Sequence, residues 1–210
     1  MTPLRSILFP LVALALSGCA AITAVNEATT PLQAYELRAP ADTPTVRGSL
    51  QRDLVIETPS TSGALDTDRI MIRPSPVEVA YLPASRWTDN APVMLTTLMV
   101  RSFADTNALR YVGRRPLGGS ADYTLISELT DFQAELGPDG TTATTRVRLS
   151  AQLVRGEDTV ILGSRTVETA STVASTETAD LVAGFDQATT AALNDLRTWA
   201  LRRMGLGVSG

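Results

Sequence analysis

Residues 146–155 read RVRLSAQLVR, and this stretch has the most regular pattern in the chain. Apolar side chains occupy every second position, at Val147, Leu149, Ala151 and Leu153. Because successive side chains of a strand point to opposite faces of the sheet, the pattern predicts a strand with one buried face and one wet face. Antiparallel sheets commonly have one face packed on a core and one face in water.

Further strands are predicted on both sides of this stretch. Residues 123–136 form a long strand, and the phase of its apolar residues changes before Phe132, which predicts a bulge. Residues 137–140 read GPDG, a strong turn signal, and residues 159–169 return as another strand. Shorter strands are predicted near 54–56, 70–72 and 77–81, where Pro74 and Pro76 favour edge positions.

Two helices complete the predicted fold. Residues 93–104 have apolar residues at helical spacing after a cap signal at Asp89 and Asn90. A last helix begins near Ser175 or Thr176 and ends at Gly205. Its apolar stripe comprises Phe185, Ala188, Ala192, Leu196 and Trp199. The sequence therefore predicts an α+β two-layer sandwich, with an antiparallel sheet and two helices packed on one face.

The first eighteen residues have the pattern of a bacterial secretion signal. Arg5 precedes an apolar run at residues 7–16, which is shorter than the ~20 residues that a transmembrane helix needs. Residues 16–19 read LSGC and resemble the bacterial lipobox. That resemblance implies cleavage between Gly18 and Cys19, and acylation of the Cys19 thiol. The alternative is an ordinary signal peptide with an incidental cysteine.

The pattern divides the chain into four predicted segments. These are a signal peptide (residues 1–18), a lipidated tether (19–49), an α+β domain (50–205) and a C-terminal tail (206–210). The tether is rich in Ala, Thr and Pro, so the domain can stand away from the bilayer. Ala20 lies where related signals carry an Asp for inner-membrane retention, and its presence favours the outer membrane, with the domain facing the periplasm.

The composition excludes several classes of function. The chain has no His and no Lys, which removes Ser-His-Asp triads, Ser-Lys dyads and His-ligated metals. A net charge of −4 disfavours nucleic-acid partners. We therefore predict no catalytic residue, no cofactor and no metal, and expect a protein that is not an enzyme.

For two groups of residues, the sequence leaves both a functional and a structural interpretation open. Trp87, with Arg86 before it, is either an interface anchor for a partner or a core aromatic at the entrance of the first helix. Arg114 and Arg115 either form a loop pair or contact lipid headgroups. The same alternative exists for Arg202 and Arg203, which we interpret as a charge pair at the C-terminus of the last helix rather than as a headgroup contact.

Several short motifs together resemble a known family. Residues 68–73 read DRIMIR, residues 79–81 read VAY and residues 85–87 read SRW, after an early Tyr35 and Leu37. With the lipobox, these resemble the ABC-type transport auxiliary lipoproteins, which include the paraquat-inducible intermembrane transport lipoprotein. The resemblance covers most of the stretch from Tyr35 to Met204, and it carries over Cys19 as a functional site but no catalytic residue.

The resemblance implies an accessory role in lipid transport. Members of the family accompany MCE-type systems, in which an ABC permease and ATPase drive lipid exchange between the inner and outer membranes. We expect an MCE-domain protein as partner, membrane lipid bound through acylated Cys19, and contact through an edge strand or the Trp87 region. An outer-membrane assembly lipoprotein of the lipopolysaccharide-transport type is the first alternative, and a cell-wall hydrolase is the second. The oligomeric state, a homo-oligomer included, stays open.

We predict that Cys19→Ser abolishes membrane attachment, because several acyl chains are needed to hold a protein on a bilayer and a serine cannot form the thioether. Fractionation of cells, with mass spectrometry of the N-terminus, measures the effect. Ser17→Ala, which keeps a small residue before the thiol, is the matched control and should stay attached. An unmodified N-terminus in the native protein would contradict the prediction.

Overall fold

The computed structural model describes residues 32–209, which form eleven strands and two helices. The strands are β1 (Gln33–Tyr35), β2 (Thr45–Arg47), β3 (Leu50–Ile56), β4 (Ser60–Thr61), β5 (Arg69–Arg73), β6 (Ala80–Trp87), β7 (Leu109–Gly113), β8 (Tyr123–Leu136), β9 (Ala143–Arg155), β10 (Val160–Val173) and β11 (Gly207–Ser209). The helices are α1 (Ala91–Ala104) and α2 (Thr178–Arg203).

The fourteen-residue strand β8 is the centre of a nine-stranded sheet. On one side β8 pairs antiparallel with β9 along its whole length, and β10 pairs antiparallel with β9. On its other side β8 pairs in succession with β3, β4 and β5. The sheet continues from β3 to β7, and from β5 through β6 to β1.

The α+β class is confirmed, but the prediction of an antiparallel sheet is wrong. Strands β3, β4 and β5 all run parallel to β8, and β7 runs parallel to β3. The sheet is therefore mixed. An alternating pattern shows which face of a strand is buried, but the direction of a strand follows from the long connections between elements.

Two segments that the sequence places outside the domain belong to the fold. In the predicted tether, Leu37 is buried, and β2 pairs with β11 from the predicted tail in a two-stranded sheet. The tether as predicted is therefore too long at its C-terminal end, and residues 207–209 are a strand. The two strands are only three residues long, so pairing with each other, rather than local pattern, gives them their structure.

The helix boundaries differ slightly from the predicted ones. Asn90 is the N-cap of α1, but its side-chain amide donates to Asp66 rather than to the helix backbone. Glu177, and neither Ser175 nor Thr176, is the N-cap of α2. Gly205 follows α2 with a φ of +91°, the left-handed conformation that ends helices.

Helix α2 packs closely on β9 and β10. The Thr169 hydroxyl donates to the Ala188 carbonyl at 2.7 Å, and the Ser171 hydroxyl donates to the Gln187 side chain. A side chain at Gly184 would come within 3.0 Å of Thr145, so this glycine permits the close approach. The predicted stripe from Phe185 to Leu196 is buried, whereas Trp199 is half-buried.

Three aromatic rings form the centre of the core. Trp87, Phe132 and Phe185 have ring centroids 5.0 to 5.7 Å apart, and the Trp87–Phe185 pair is edge-to-face. Each ring is at most 2% exposed. The cluster joins β6, β8 and α2, so it fixes both the helix and strand β6 to the central strand.

We predict that Phe185→Ala lowers the free energy of unfolding by about 3–5 kcal/mol, because it removes a buried ring and leaves a cavity. Urea unfolding of the mature chain measures the loss. Ile161→Ala, at a side chain that is 54% exposed, is the control. A control effect as large as that of Phe185→Ala would show that the aromatic cluster is not the centre of stability.

Candidate functional site

The two residues predicted as a partner contact differ in their exposure to solvent. Trp87 is fully buried in the aromatic cluster, so the interface-anchor interpretation of this residue is wrong and the core interpretation holds. Arg86 is exposed, and its guanidinium donates to the Asp68 carboxylate at 3.3 Å. Gly18 and Cys19 lie outside the described residues, so cleavage and lipidation there stay predictions.

Arg114 joins the loop after β7 to the first helix. Its guanidinium donates to the hydroxyl of Thr97 and to the Val93 carbonyl, both on α1. Arg115 is exposed, and its carbonyl accepts from the Tyr111 hydroxyl. The loop interpretation of this pair is therefore the one that the contacts support.

Strand β10 is the long free edge of the sheet. Within residues 32–209 it pairs only with β9, through thirteen registered residue pairs. Helix α2 covers its inner face, where Val167 and Ser171 are buried. Its outer face is exposed at Thr166, Glu168, Ala170 and Thr172. A fourteen-residue edge of this kind offers unpaired backbone groups to an added strand.

Hydroxyl pairs hold β10 to β9 on the wet face. The side chains of Ser150 and Thr166 lie 3.2 Å apart, and those of Thr144 and Thr172 lie 3.3 Å apart. Cross-strand hydroxyl pairs of this kind stabilise the pairing of the two strands. The register shifts between Ile161 and Gly163, so a bulge ends the regular edge near the hairpin.

A groove of about 800 Å³ lies at the opposite end of the wet face. The loop at residues 74–76 and the turn at 137–140 form its two walls, and Asp131 and Glu135 of β8 line its floor. The turn is rigid because Asp139 accepts hydrogen bonds from Thr141 and Thr142. These bonds hold the pKa of Asp139 well below its usual range.

A network of four charges joins β3, β7 and the start of β8. Asp53 accepts from Arg110 at 2.7 Å, and Asp122 accepts from Arg52 at 2.7 Å. The Asp122 carboxylate also accepts from the backbone N–H of Asp53 at 2.8 Å. The sequence analysis missed this network because its members are up to 70 residues apart, and no local pattern relates them.

Arg197 is a second charged residue that the sequence analysis missed. It is 1% exposed, although it is charged. Its guanidinium donates to the Ser102 carbonyl, the Asp42 carbonyl and the Asn194 side chain. Burial lowers the pKa of Arg197. Its position next to Leu196, among the buried residues of α2, was the only signal in the sequence.

The described residues contain little that suggests catalysis. No group of three His, Cys, Asp or Glu side chains in residues 32–209 could hold a metal ion. Two acidic side chains in loops are engaged in local contacts, since Asp66 accepts from Asn90, and Asp158 forms an ion pair with Arg155. Among the described helices, none is long and apolar enough to cross a membrane.

The sequence of this chain matches a family model described as the ABC-type transport auxiliary lipoprotein component, over residues 35–196. An uncharacterized protein of Bradyrhizobium diazoefficiens is 28% identical over 170 residues. The match covers 80% of this chain but only 44% of that protein, so the chain spans less than half the length of this curated relative.

Two solved structures resemble the fold. A crystal structure of a Xanthomonas campestris protein, XCC0632 of the DUF330 family, superposes with a TM-score of 0.69 at 27% identity. The superposition covers 82% of this chain and 97% of the Xanthomonas chain. A second crystal structure, of an uncharacterized protein, has a TM-score of 0.64 at 15% identity, and covers 80% of this chain and 98% of that one. The second likeness shows the fold alone.

We predict that the four-charge network makes stability fall in acid. The Arg52 guanidinium, which donates a hydrogen bond to Asp122, lowers the pKa of this carboxyl. A carboxyl whose folded pKa is depressed contributes stability above its unfolded pKa of about 3.9, and that stability is lost as the pH falls toward the folded pKa. Between about pH 5 and pH 3, the Asp122→Asn variant should therefore lose less stability than the wild type.

Thermal unfolding across this pH range is the measurement. Asp89→Asn, at an exposed carboxyl that makes no ion pair within the described residues, is the control for the loss of one carboxylate. Equal slopes for Asp122→Asn and the wild type would contradict the assignment.

Proposed function

The chain belongs to the family of ABC-type transport auxiliary lipoprotein components, and from this premise we propose that it docks an MCE-type ABC lipid transport system at the outer membrane. The family match over residues 35–196 is the observation that carries the proposal. The protein is anchored by lipid on Cys19, faces the periplasm and binds the MCE-domain protein of a system powered by an inner-membrane permease and ATPase.

Docking rather than catalysis is the proposed mode of action. Without His or Lys, the commonest general base and the Ser-Lys dyad are absent from the sequence. Several of the described carboxylates are engaged by arginine or by turn hydroxyls, as at Asp122 and Asp139. What the domain offers instead is a rigid sheet with a long free edge.

The proposed contact for the MCE-domain protein is the outer edge of β10. Two properties of this strand support the choice. Its outer side chains are small or polar, which lets a second strand approach, and its inner face is fixed by α2, so the edge is ordered before a partner arrives. The main-chain hydrogen bonds of an added strand supply affinity, while Glu168 and the neighbouring side chains supply selectivity.

Site-specific cross-linking in native membranes tests this contact. Cys19 is the only cysteine of the chain and its thiol is taken up by lipid in our proposal, so one engineered cysteine gives a unique site. Thr166→Cys and Ala170→Cys, each carrying a benzophenone on the new thiol, should form a cross-link to the MCE-domain protein. Leu117→Cys, in an exposed loop remote in sequence from β10, is the matched control and should not.

The identity of the captured protein, by mass spectrometry, decides between the candidates. Capture of an MCE-domain protein at both β10 sites and not at residue 117 supports the proposal. Capture of an outer-membrane β-barrel protein instead would support the assembly-lipoprotein alternative. Cross-links to an MCE-domain protein from residue 117 alone would keep the transport role and overturn the β10 edge as its contact.

A further inference from the structure

A pocket of about 370 Å³ opens between the last two turns of α2 and the first half of β10. Its walls are Arg165, Asp195, Thr198, Trp199, Arg202 and Arg203. The indole of Trp199, which is half-buried, forms the apolar side of the pocket, and the three arginines surround the remainder.

The pocket has an excess of positive charge. Arg165 binds both carboxylate oxygens of Asp195, at 2.9 and 2.8 Å, and so neutralises the one acidic side chain of the lining. Arg202 donates only to the Val208 carbonyl, and neither Arg202 nor Arg203 forms an ion pair within residues 32–209. Three guanidinium groups and one carboxylate leave two uncompensated positive charges, in a chain whose net charge is −4.

The absence of a side chain at Gly163 leaves space for Arg203 at the pocket. A side chain at residue 163 would lie 3.1 Å from the Arg203 Nε atom, so the glycine in the β10 bulge lets the guanidinium lie across the strand. Arginines at a helix C-terminus are favoured by the helix dipole, which alone would account for Arg202 and Arg203. The dipole does not account for Arg165, which comes from β10 and converges on the same pocket.

Exposed apolar side chains lie beside this charge. Val160 and Ile161 of the same strand are 43% and 54% exposed, and they lie two to three residues from Gly163. A free phosphate ion would gain nothing from them. A lipid surface, which presents a phosphate next to hydrocarbon, matches both the cationic pocket and the apolar strand end.

We propose that this pocket binds the phosphate group of an anionic phospholipid headgroup. The planar guanidinium donates paired hydrogen bonds that match phosphate oxygens. Arg203 supplies a fork without a hydrogen-bond partner in residues 32–209, and Arg202 supplies the N–H groups that its bond to Val208 leaves over. Val160 and Ile161 contact the interfacial region of the bilayer. The hairpin end of the sheet is thus a second membrane contact, additional to the lipid on Cys19.

Binding of the mature chain to vesicles tests the proposal. The chain carries Cys19→Ser so that acylation cannot contribute, and cosedimentation is measured with phosphatidylglycerol vesicles and with phosphatidylcholine vesicles. Phosphatidylglycerol vesicles should bind more tightly. Since each arginine near an anionic surface strengthens binding several-fold, Arg202→Gln with Arg203→Gln should weaken phosphatidylglycerol binding by about 10-fold to 30-fold.

Two double variants distinguish binding in the pocket from attraction by the overall charge of the chain. Arg38→Gln with Arg101→Gln changes the net charge by the same amount at two exposed arginines outside the pocket, and it should change binding less than about 2-fold. Arg202→Lys with Arg203→Lys keeps the charge and should retain more binding than the glutamine variant, but less than the wild type, because lysine lacks the planar fork. Thermal unfolding of each variant verifies that the fold is intact.

Titration with inorganic phosphate, followed by the fluorescence of Trp199, distinguishes the source of the phosphate. Binding to phosphatidylglycerol vesicles that depends on Arg202 and Arg203 supports the proposal. Equal loss in the Arg38 and Arg101 variant would overturn it in favour of unspecific attraction. Saturation by inorganic phosphate with no binding to the vesicles would overturn the lipid assignment. No transport protein takes part in these assays, so their outcome is independent of the docking role.

Discussion

Strand β8 is paired along both edges, and the rest of the domain depends on that double pairing. One edge has a single antiparallel partner, β9, while the other is shared by β3, β4 and β5. At ~3.3 Å per residue, a strand of this length is ~45 Å long, which is enough for three short strands in succession. Both helices follow strands that are attached to this centre.

A single bulge in β8 sets the phase of the core. Before it, Leu125 and Leu129 face the core, and strict alternation would then place Asp131 and Gln133 there. The register shift between Leu129 and Asp131 inserts one residue, so Phe132 and Ala134 take the core positions instead. Without the bulge, Phe132 could not reach Trp87 and Phe185, and the aromatic cluster that joins sheet and helix would not form.

The elements that the sequence predicts correctly are those whose structure is determined locally. Alternation predicted β8, β9 and β10, the phase change at Phe132 predicted the bulge, and helical spacing predicted α1 and α2. Strand β7 was missed because the five residues from Leu109 to Gly113 do not alternate, and strand direction was missed because it depends on connections. For the candidate site, the pattern singled out Trp87 but could not tell a buried indole from an exposed one, whereas Asp53 and Asp122 are related only by the fold.

Arg197 shows why some structural residues have no local signature. A buried guanidinium needs acceptors for its N–H groups, and here they come from the segment before β2, from the end of α1 and from α2 itself. The acceptors from Asp42 and Ser102 include main-chain carbonyls, which no residue type encodes, since any residue supplies a carbonyl. The same contact attaches the segment around Asp42 to the helices, although that segment buries few apolar side chains of its own.

The free edge of β10 presents the opposite problem, because unpaired strand edges promote self-association. The edge carries a bulge near Gly163 and two charged side chains, Arg165 and Glu168, and bulges and edge charges disfavour uncontrolled stacking of identical strands. An edge protected in this way stays open to a partner whose strand complements those charges, so the features that limit aggregation are also those that make a specific contact there feasible.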